Sequence, residues 1–319
     1  MEFETRLPLT ELRETVEQIK QEIGKVIVGQ NEMIDLLIAA LLADGHVLIE
    51  GVPGVAKTLT AKLLAQTLDT HFSRIQFTPD LMPSDVLGTA IFNFKTSDFE
   101  FKQGPIFANM VLIDEINRSP AKTQAALFEV MEERQVTTDG KARLLPPPFM
   151  VIATQNPIEQ EGTYRLPEAQ LDRFLFKIEV GYPSLDEEIE ILERFHQPNA
   201  IMSINSVLAP EQLLHYRQQV KQVHVEAHLL KYIAHLVQQT RNNAAIYLGA
   251  SPRASLSLMN TAKAVAAMRG RDFVTPEDIQ KVALPVLRHR IMLSPEKEME
   301  GISADDLVNG LLKNLEIPR

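Results

Sequence analysis

Residues 51–58 read GVPGVAKT, and this run lies between an apolar stretch and a helical pattern. The pattern G-x-x-x-x-G-K-[ST] is typical of loops that bind phosphate through backbone N–H groups. Gly51, Lys57 and Thr58 match that pattern, but Ala56 stands where the second glycine is expected. The order strand, loop, helix supports the interpretation, because a helix N-terminus attracts anions. The sequence therefore predicts a phosphate-binding loop with one departure.

The departure at Ala56 has two possible consequences. If this residue needs a positive φ angle, its Cβ costs about 1 to 2 kcal/mol, whereas micromolar nucleotide binding amounts to about 8 kcal/mol. If it already belongs to the helix, alanine favours the structure. In either case we expect Lys57 to reach the β- and γ-phosphates and the Thr58 hydroxyl to ligate Mg²⁺.

Two later strands are predicted to end in polar groups at the same place. MVLIDEINR places Asp114 and Glu115 at the end of an apolar strand, where an acidic residue can stand beside Mg²⁺. We expect Asp114 to hold the ion through water and Glu115 to polarise the attacking water. FMVIATQNP ends in Gln155 and Asn156, and an amide there can orient that water. Alone, each strand end could be a solvated turn, but together they fit one triphosphate.

Composition limits the classes of protein that fit. The chain has 319 residues, which suggests two domains, and its net charge is 32 minus 42, or -10. This acidic balance disfavours binding to DNA or to an anionic membrane. The absence of cysteine excludes disulfides and thiolate metal sites. The N-terminus has no apolar signal segment, and the apolar run at 36–43 is too short to span a bilayer. We expect a cytoplasmic protein without membrane insertion.

The order of patterns predicts an α/β domain followed by a helical domain. Two amphipathic helices precede the loop, and five apolar runs (HVLIEGV, RIQF, MVLIDEI, FMVIAT and FKIEV) alternate with helical stretches. Uninterrupted apolar runs are typical of parallel strands covered on both faces. We therefore assign residues 1–182 to an α/β nucleotide-binding core and residues 183–319 to a second domain of helices. The predicted helices of the second domain are 185–195, 211–223, 226–242, 252–269, 276–291 and 304–315.

Two hairpins are predicted within the core. Asp139-Gly140 forms a strong two-residue turn signal in QVTTDGKARL. In AIFNFKTSDFEF the turn is expected at 95–98, and Phe92 and Phe94 would face Phe99 and Phe101. Alternating aromatic residues on a hairpin favour packing within the chain over a partner-binding face.

Beyond these patterns, the sequence resembles the MoxR-type ATPases of the AAA+ superfamily over essentially its whole length. The motifs that carry the resemblance are VIVGQ, GVPGVAKT, TPDLMPSDVLG, VLIDEINRSP, TQNPIEQEGTY, LPEAQLDRF and GASPRAS. That family accepts alanine at the position of Ala56. The resemblance implies an AAA+ P-loop core with a five-stranded parallel sheet, a helical lid, and a hexameric ring that holds ATP between subunits.

The resemblance also implies roles that spacing alone does not give. Asn156 matches the residue that positions water, Arg173 the arginine finger that reaches into a neighbour's site, and Arg253 the lid residue that touches the γ-phosphate. The residues implied to bind the nucleotide are Val28 and Gly29 beside adenine, the loop residues Gly51, Val52, Pro53, Gly54, Val55, Ala56, Lys57, Thr58 and Leu59, and Asp114 and Arg253. Mg²⁺ would be held by Thr58 and Asp114, and the catalytic set would be Lys57, Glu115, Asn156 and Arg173.

Two of these arginines also have local explanations. Arg253 lies just inside a helix start made by Ser251 and Pro252, so its charge and the helix end could act on one anion; a surface salt bridge would explain it equally well. Arg173 could instead pair with Glu168 or Asp172. Arg118 is a further candidate for an interface role.

One departure and one group of histidines complete the candidate residues. Arg165 stands where many members of that family have proline, which frees its φ angle and adds a charge near Arg173. His224, His228 and His235 are spaced so that pairs could share a helix face, but no third ligand is evident. We therefore expect them to flank the apolar stripe of Leu229, Ile233 and Leu236 rather than to bind metal.

The function that follows is an ATP-hydrolysing ring that remodels client protein complexes. The resemblance implies a partner with a von Willebrand factor A domain and clients such as metalloenzyme complexes. Two other interpretations remain open. One is a slowly cycling nucleotide-dependent scaffold, suggested by Ala56 and Arg165. The other is a motor subunit like that of magnesium chelatase, or a relative of DNA-translocating rings, although the acidic balance argues against DNA.

Overall fold

The structure is a computed structural model that describes residues 7–157, 164, 166–196 and 204–317. Its central sheet consists of the five apolar runs. The strands are β1 (His46–Gly51), β2 (Phe72–Gln76), β3 (Gly88–Asn93), β4 (Asp98–Gln103), β5 (Met110–Asp114), β6 (Gln135–Thr138), β7 (Lys141–Leu144), β8 (Met150–Gln155), β9 (Phe174–Val180), β10 (Ile246–Leu248) and β11 (Met292–Leu293). The order β2-β5-β8-β1-β9 is parallel throughout. The predicted five-stranded parallel sheet is confirmed.

The helices agree closely with the amphipathic patterns. They are α1 (Thr10–Gly24), α2 (Asn31–Leu42), α3 (Lys57–Thr67), α4 (Pro83–Leu87), α5 (Ala121–Glu133), α6 (Glu168–Leu171), α7 (Leu185–Phe195), α8 (Pro210–Gln222), α9 (Ala227–Arg241), α10 (Pro252–Met268), α11 (Pro276–Leu287), α12 (Pro295–Met299) and α13 (Ala304–Asn314). Helices α10 and α11 begin at the predicted cap and proline signals, Ser251-Pro252 and Thr275-Pro276. The C-terminal region is helical as predicted, but β10 and β11 form a small antiparallel sheet that the sequence did not indicate.

Both predicted hairpins are present. Strands β6 and β7 pair through Asp139 and Gly140, whose φ angles of 52° and 71° suit the tight turn. Strands β3 and β4 pair Phe92 with Phe99, and the connection covers 94–97 rather than 95–98. Phe101 packs as expected, against Phe107 and under the guanidinium of Arg143.

The expectation of ordinary packing is wrong at the tip of that hairpin. Phe94 is 88% exposed and Phe99 is 68% exposed. Both stack edge-on against Phe92, at centroid distances of 5.2 and 5.3 Å. Phe92 thus contacts both other rings, and none of the three side chains is buried.

Two hydrophobic cores lie on opposite faces of the sheet. The larger contains α1, α2 and α3 together with α8 to α11 and the side chain of Val308 from α13. The smaller lies under α4 and α5. Since one core joins elements from both sides of residue 182, the two predicted domains share an apolar interior; the division at 182/183 itself stays a prediction.

His46 connects the start of β1 to two neighbouring elements inside the core. Its Nε2–H donates to the carbonyl oxygen of Met131 at 3.0 Å, and its Nδ1 accepts the N–H of Val151 at 2.9 Å. Because Nδ1 accepts, the ring is neutral in the fold. Burial lowers the pKa of His46 to about 3, and the positive charge of Arg134 contributes. His46 is therefore a structural histidine that resists protonation.

The pKa of His46 predicts a dependence of stability on pH. Below pH 6.5 the unfolded chain takes up a proton that the fold refuses until about pH 3, so stability falls as the pH decreases through this window. Each pH unit costs up to about 1.4 kcal/mol for one such group. We expect His46→Gln to reduce the slope of unfolding free energy between pH 6 and pH 4 by about that amount, measured by urea denaturation. His228→Gln, at an exposed position, should leave the slope unchanged. An unchanged slope in His46→Gln would contradict the assignment.

Candidate functional site

The predicted phosphate loop connects the end of β1 to the first turn of α3. Gly51 ends β1, and a Cβ there would lie 2.5 Å from the carbonyl oxygen of Val180 on the neighbouring strand β9. Only glycine fits this contact, since backbone of an adjacent strand cannot yield as a flexible side chain would. The first glycine of the motif is therefore required by sheet packing as well as by the loop.

Ala56 adopts the left-handed conformation, with φ 60° and ψ 18°, immediately before α3 begins at Lys57. The first of the two sequence-based alternatives is the correct one: this position uses a positive φ, and alanine carries a strain of about 1 kcal/mol there. Gly54, with φ 88°, supplies the other left-handed residue of the loop. The loop thus keeps the backbone shape that its sequence pattern predicts.

The Lys57 ammonium bends back over this loop. It donates to the carbonyl oxygen of Gly51 and, at 3.2 Å, to that of Val52. The positive charge is held at the mouth of the loop, where the backbone N–H groups and the N-terminus of α3 also lie. This combination is a ready anion site.

The Asp114 carboxylate connects β5 to the strand on each side and to α3. Its Oδ1 accepts the hydroxyls of Thr58 at 3.3 Å and Thr154 at 3.1 Å, and its Oδ2 accepts Nε–H of Arg74 at 2.6 Å. The side chain is 8% exposed. Carboxylate and hydroxyl oxygens are the ligands that Mg²⁺ prefers. Thr58 and Asp114 therefore fit the predicted metal site chemically.

Glu115 is directed by an unusual backbone conformation. Its φ is 57°, in the left-handed region, and its N–H donates to Thr154 Oγ1 at 3.1 Å. The carboxylate accepts Gln76 Nε2 at 2.8 Å and pairs with Arg118 Nε at 3.0 Å. A non-glycine residue in this region occurs at functional sites, and in this chain also at turns such as Asp69 and Asp139. Arg118, considered for an interface, contacts Glu115 within its own chain.

One cavity of about 380 Å³ gathers these groups. It is lined by Pro53, Gly54, Val55, Ala56, Lys57, Thr58, Leu59, Arg74, Gln76, Asp114, Glu115, Thr154, Gln155 and Asn156. The four strands that deliver them, β2, β5, β8 and β1, are adjacent in the sheet. Val28 and Gly29 do not line this cavity, but Gln30 next to them donates to the carbonyl oxygen of Gly181 at 3.4 Å, at the same edge of the sheet.

Arg173 and Arg253 do not line the phosphate-loop cavity. Both bind the carboxylate of Glu132 near the end of α5: Arg173 Nε is 3.1 Å from one oxygen and Arg253 Nη2 is 2.5 Å from the other. The two arginines line a second cavity of about 310 Å³ together with His46 and Arg134. The alternative interpretation of Arg173, a local pair with Glu168 or Asp172, differs from the pair with Glu132 that the structure has.

The second cavity is at the opposite edge of the sheet from the phosphate loop. Arg173 immediately precedes Phe174, the first residue of β9, and Phe174 is in register with His46 at the start of β1. The loop follows the other end of β1. Six residues of strand separate the two edges by about 20 Å. A single chain therefore does not bring Arg253, expected at the γ-phosphate, to its own phosphate loop.

A partly buried junction connects the two segments that carry these arginines. Asp172 Oδ1 accepts Arg290 Nε–H at 2.7 Å, and Oδ2 accepts the hydroxyl of Ser251 at 3.0 Å. Ser251 also accepts the N–H of Arg253 at 3.2 Å, as the cap of α10. Arg290 donates further to the carbonyl oxygens of Phe174 and Leu175. The helical region is thus locked to the segment that carries Arg173.

Within the described part of the chain, four polar side chains near the predicted site residues were not found from the sequence. Arg74 and Gln76 lie on β2, where a charged and an amide residue interrupt an otherwise apolar run; Thr154 precedes the amide pair on β8, and Glu132 holds both arginines. Polar residues inside the run RIQF were the available signal for the first two. Nothing in the sequence linked Glu132 to Arg173 and Arg253, which lie 41 and 121 positions further along the chain.

Two further expectations concern the histidines and Arg165. The stripe of Leu229, Ile233 and Leu236 is buried as predicted, and His224 pairs with Glu226 at 3.3 Å. Among the residues with described positions, no group of three His, Asp or Glu side chains could hold a metal ion. Arg165 lies outside the described residues.

In the described part of the chain, none of the helices combines the length and apolarity needed to cross a membrane.

The comparisons with known proteins agree on one class. Residues 46–176 match the ATPase family associated with various cellular activities (AAA), and residues 238–311 match the AAA lid domain. A crystal structure of a putative ATPase from Cytophaga hutchinsonii superposes with a TM-score of 0.91, at 44% identity and covering 98% of this chain and 97% of that one. By its family matches and its fold, the protein is an AAA+ ATPase.

Two relatives define the branch of this class. The chain is 44% identical to Chaperone MoxR1 of Mycobacterium tuberculosis, with 96% of this chain and 83% of that protein covered. It is 48% identical to the uncharacterized protein YeaC of Bacillus subtilis, with 93% of each chain covered. The chain belongs to the MoxR family of AAA+ ATPases.

The left-handed conformation of Ala56 predicts that glycine is the more stable residue there. We expect Ala56→Gly to raise the free energy of unfolding by about 1 kcal/mol, because the Cβ strain disappears while the loop keeps its shape. Gly54→Ala should lower it by about 1 to 2 kcal/mol for the opposite reason. Urea denaturation measures both. If Ala56→Gly proves destabilising, the strain has been assigned to the wrong residue.

Proposed function

We propose that this protein is a Mg²⁺-dependent ATP hydrolase that converts ATP and water to ADP and phosphate. The observation that carries the proposal is the convergence of Lys57, Asp114, Glu115 and Asn156 on one cavity at the end of three adjacent parallel strands. Each of these groups has a separate task in phosphoryl transfer, and few other reactions need all four together.

The phosphates of ATP would lie along the loop from Gly51 to Leu59. Backbone N–H groups and the N-terminus of α3 stabilise their negative charge, and the Lys57 ammonium turns from the loop carbonyls to the β- and γ-phosphates. Val28 and Gly29 would contact adenine. The Thr58 hydroxyl and, through water, Asp114 would hold Mg²⁺, and the bound ion would supply positive charge beside the phosphate oxygens.

The attacking water would be activated from the other side of the cavity. Glu115 accepts the water's proton, and its left-handed backbone and its contacts with Gln76 and Arg118 aim the carboxylate. Asn156, at the end of β8, orients the same water through its amide. Arg74 neutralises the other oxygen of Asp114, so that Oδ1, on the Thr58 side, faces the metal position.

Arg173 and Arg253 would complete the site of a neighbouring subunit. Their distance from the chain's own phosphate loop supports this role, as does their joint fixation by the Asp172 junction. A head-to-tail contact of this kind generates a closed ring when the rotation closes. We infer a ring, of six subunits as the family resemblance implies, in which each site takes both arginines from the next chain.

The work done by the ring would be remodelling of client protein complexes in the cytoplasm. The name of the relative MoxR1, a chaperone, supports this class of function. A partner with a von Willebrand factor A domain and a client such as a metalloenzyme complex belong to the same proposal. The exposed phenylalanine tip of the β3–β4 hairpin offers a surface for such contacts.

Glu115→Gln tests the assigned base. We expect turnover to fall by about 10² to 10⁴ because the amide cannot accept the water's proton, while ATP affinity stays within about threefold because Lys57 and the loop are untouched. Steady-state phosphate release and equilibrium binding of a fluorescent nucleotide measure the two quantities. Glu298→Gln, an exposed carboxylate of α12, is the control and should change neither. Undiminished turnover in Glu115→Gln would rule out this residue as the base.

Mixing two inactive variants tests the proposed sharing of sites. Glu115→Gln has a dead site but intact arginines, and Arg173→Ala has an intact site but lacks its finger. In random mixed rings about a quarter of the interfaces would combine the two intact halves, so an equal mixture should recover about a quarter of wild-type activity. Replacing Arg173→Ala by Arg253→Ala should give the same rescue.

The matched control for this experiment is a mixture of Glu115→Gln with Lys57→Ala. Both defects lie on the phosphate-loop side, so no interface regains a complete site and no activity should return. Phosphate release is measured in all mixtures at equal total protein. A mixture of Glu115→Gln and Arg173→Ala that stays as inactive as this control would show that the arginines do not act on a neighbour's site.

A further inference from the structure

Helix α7 exposes an apolar stripe. Leu185, Ile189 and Leu192 are 73%, 45% and 70% exposed, and their spacing of four and three residues places them on one face of the helix. Phe195 lies beside them and is 43% exposed. Isolated apolar residues on a surface are ordinary, but a continuous row marks a contact surface.

The helix is oriented opposite to an ordinary surface helix. Its side toward the chain carries Glu187, next to Gly29, and Arg194, which donates to the carbonyl oxygen of Gly24 at 2.6 Å. Surface helices normally turn the apolar side inward and the charged side to water. Here polar contacts hold α7 in place, and the apolar side faces away from its own chain. The stripe is therefore available to a second molecule.

The position of α7 in the fold indicates which second molecule would bind the stripe. The helix follows β9 after a short connection and contacts the loop that contains Gly29, at the edge where the phosphate loop lies. Any subunit that delivers Arg173 and Arg253 to this edge must approach α7 as well. This step rests on the proposed function.

The opposite surface of the same chain has matching chemistry. We call it the finger face and define it by Arg134, Arg173, Arg253 and Leu256, which line one cavity. Leu256 is 58% exposed and lies one turn after Arg253 on α10. The row of α7 beside the apolar stripe is acidic, with exposed Asp186, Glu190 and Glu193. The cavity of the finger face is lined by four arginines and three carboxylates, since Arg290, Asp44, Glu132 and Asp172 also line it, so a basic excess remains. An apolar stripe with an acidic margin thus corresponds to a leucine on a face with a small basic excess.

We propose that the apolar stripe of α7 is the docking surface for the finger face of a second copy of this chain. The contact is head-to-tail: Leu192 and its neighbours pack against the surface around Leu256, while the acidic row meets the arginines of the finger face. The same contact brings Arg173 and Arg253 toward the phosphate loop. Helix α7 consequently links subunit assembly to completion of the site.

Leu192→Glu tests the docking surface. The new charge would be buried against the finger face, so we expect the protein concentration at half-assembly to rise at least about tenfold. Assembly is measured by sedimentation velocity of the full chain with Mg²⁺ and the non-hydrolysable analogue AMP-PNP. Met299→Glu adds the same charge at a residue that is 89% exposed on α12 and should assemble like the wild type. Binding of a fluorescent nucleotide should be unchanged in Leu192→Glu, which separates loss of assembly from loss of fold.

Cysteine cross-linking tests the orientation of the contact, because the chain has no cysteine of its own. Leu192→Cys and Leu256→Cys are prepared as single variants, mixed, and treated with a short bis-maleimide in the presence of AMP-PNP. We expect a cross-linked dimer in the mixture, and at least about fivefold less of it in either variant alone, because a head-to-tail contact places unlike surfaces together.

Three results would overturn the proposal. Assembly of Leu192→Glu at the wild-type concentration would show that the stripe is not at the interface, and the proposed function would survive. A cross-link formed by Leu192→Cys alone as efficiently as by the mixture would indicate a two-fold contact instead of a head-to-tail one. A wild-type chain that stays monomeric with AMP-PNP yet hydrolyses ATP independently of its concentration would refute shared sites together with this docking surface.

Discussion

The polarity of the parallel sheet is the constraint on which the rest of this structure depends. All five strands run the same way, so every strand end that carries site chemistry points to one edge and every strand start to the other. Asp114 of β5 connects the elements that meet at this edge. Its carboxylate accepts hydrogen bonds from hydroxyls on α3 and β8 and from a guanidinium group on β2. The same polarity places Arg173, which precedes β9, at the far edge. A chain built this way carries both halves of the proposed site but cannot join them by itself.

The helical region reinforces this separation. Arg290 and Ser251 bind the two oxygens of Asp172, and Ser251 also caps the helix that carries Arg253. The hydrogen bond between Arg290 and Asp172 is charge-assisted and therefore stronger than a neutral one, which favours a fixed geometry at this junction. The position of one arginine therefore determines that of the other. Any movement of the helical region would carry both arginines together, which suits residues that respond to the nucleotide bound at a neighbouring site.

The sequence predicted the parts of the fold that depend on local pattern. Apolar runs gave all five strands, and spacing rules gave the convergence of Lys57, Asp114 and Asn156, because carboxyl ends of parallel strands meet at one edge. The conformation of Ala56 was left between two alternatives, since a single residue before a helix can adopt either. The pairing of Arg173 and Arg253 through Glu132 depends on how two distant segments pack, and no local pattern records that.

The sequence also could not predict how the surface helices and hairpins are oriented relative to the rest of the chain. An amphipathic pattern at 185–195 predicts a helix and an apolar side, but it does not say whether that side faces its own core or a second molecule. Here the polar contacts of Arg194 and Glu187 decide the orientation. The same ambiguity explains why Phe94 and Phe99 were expected to be packed: alternation fixes which side chains share a face and not what covers that face.

Glu132 shows how the separated arginines can be both stable in one chain and available to another. In the single chain its one carboxylate pairs with both guanidinium groups, each of which is partly exposed, and a net positive charge remains. Exposed ion pairs contribute only about 0 to 1 kcal/mol, so little free energy opposes their exchange. Guanidinium–phosphate hydrogen bonds are stronger, since the anion carries more charge and accepts several donors at once. In the proposed assembly, a neighbour's triphosphate would therefore outcompete Glu132 for the arginines, and loss of the γ-phosphate would return them to it.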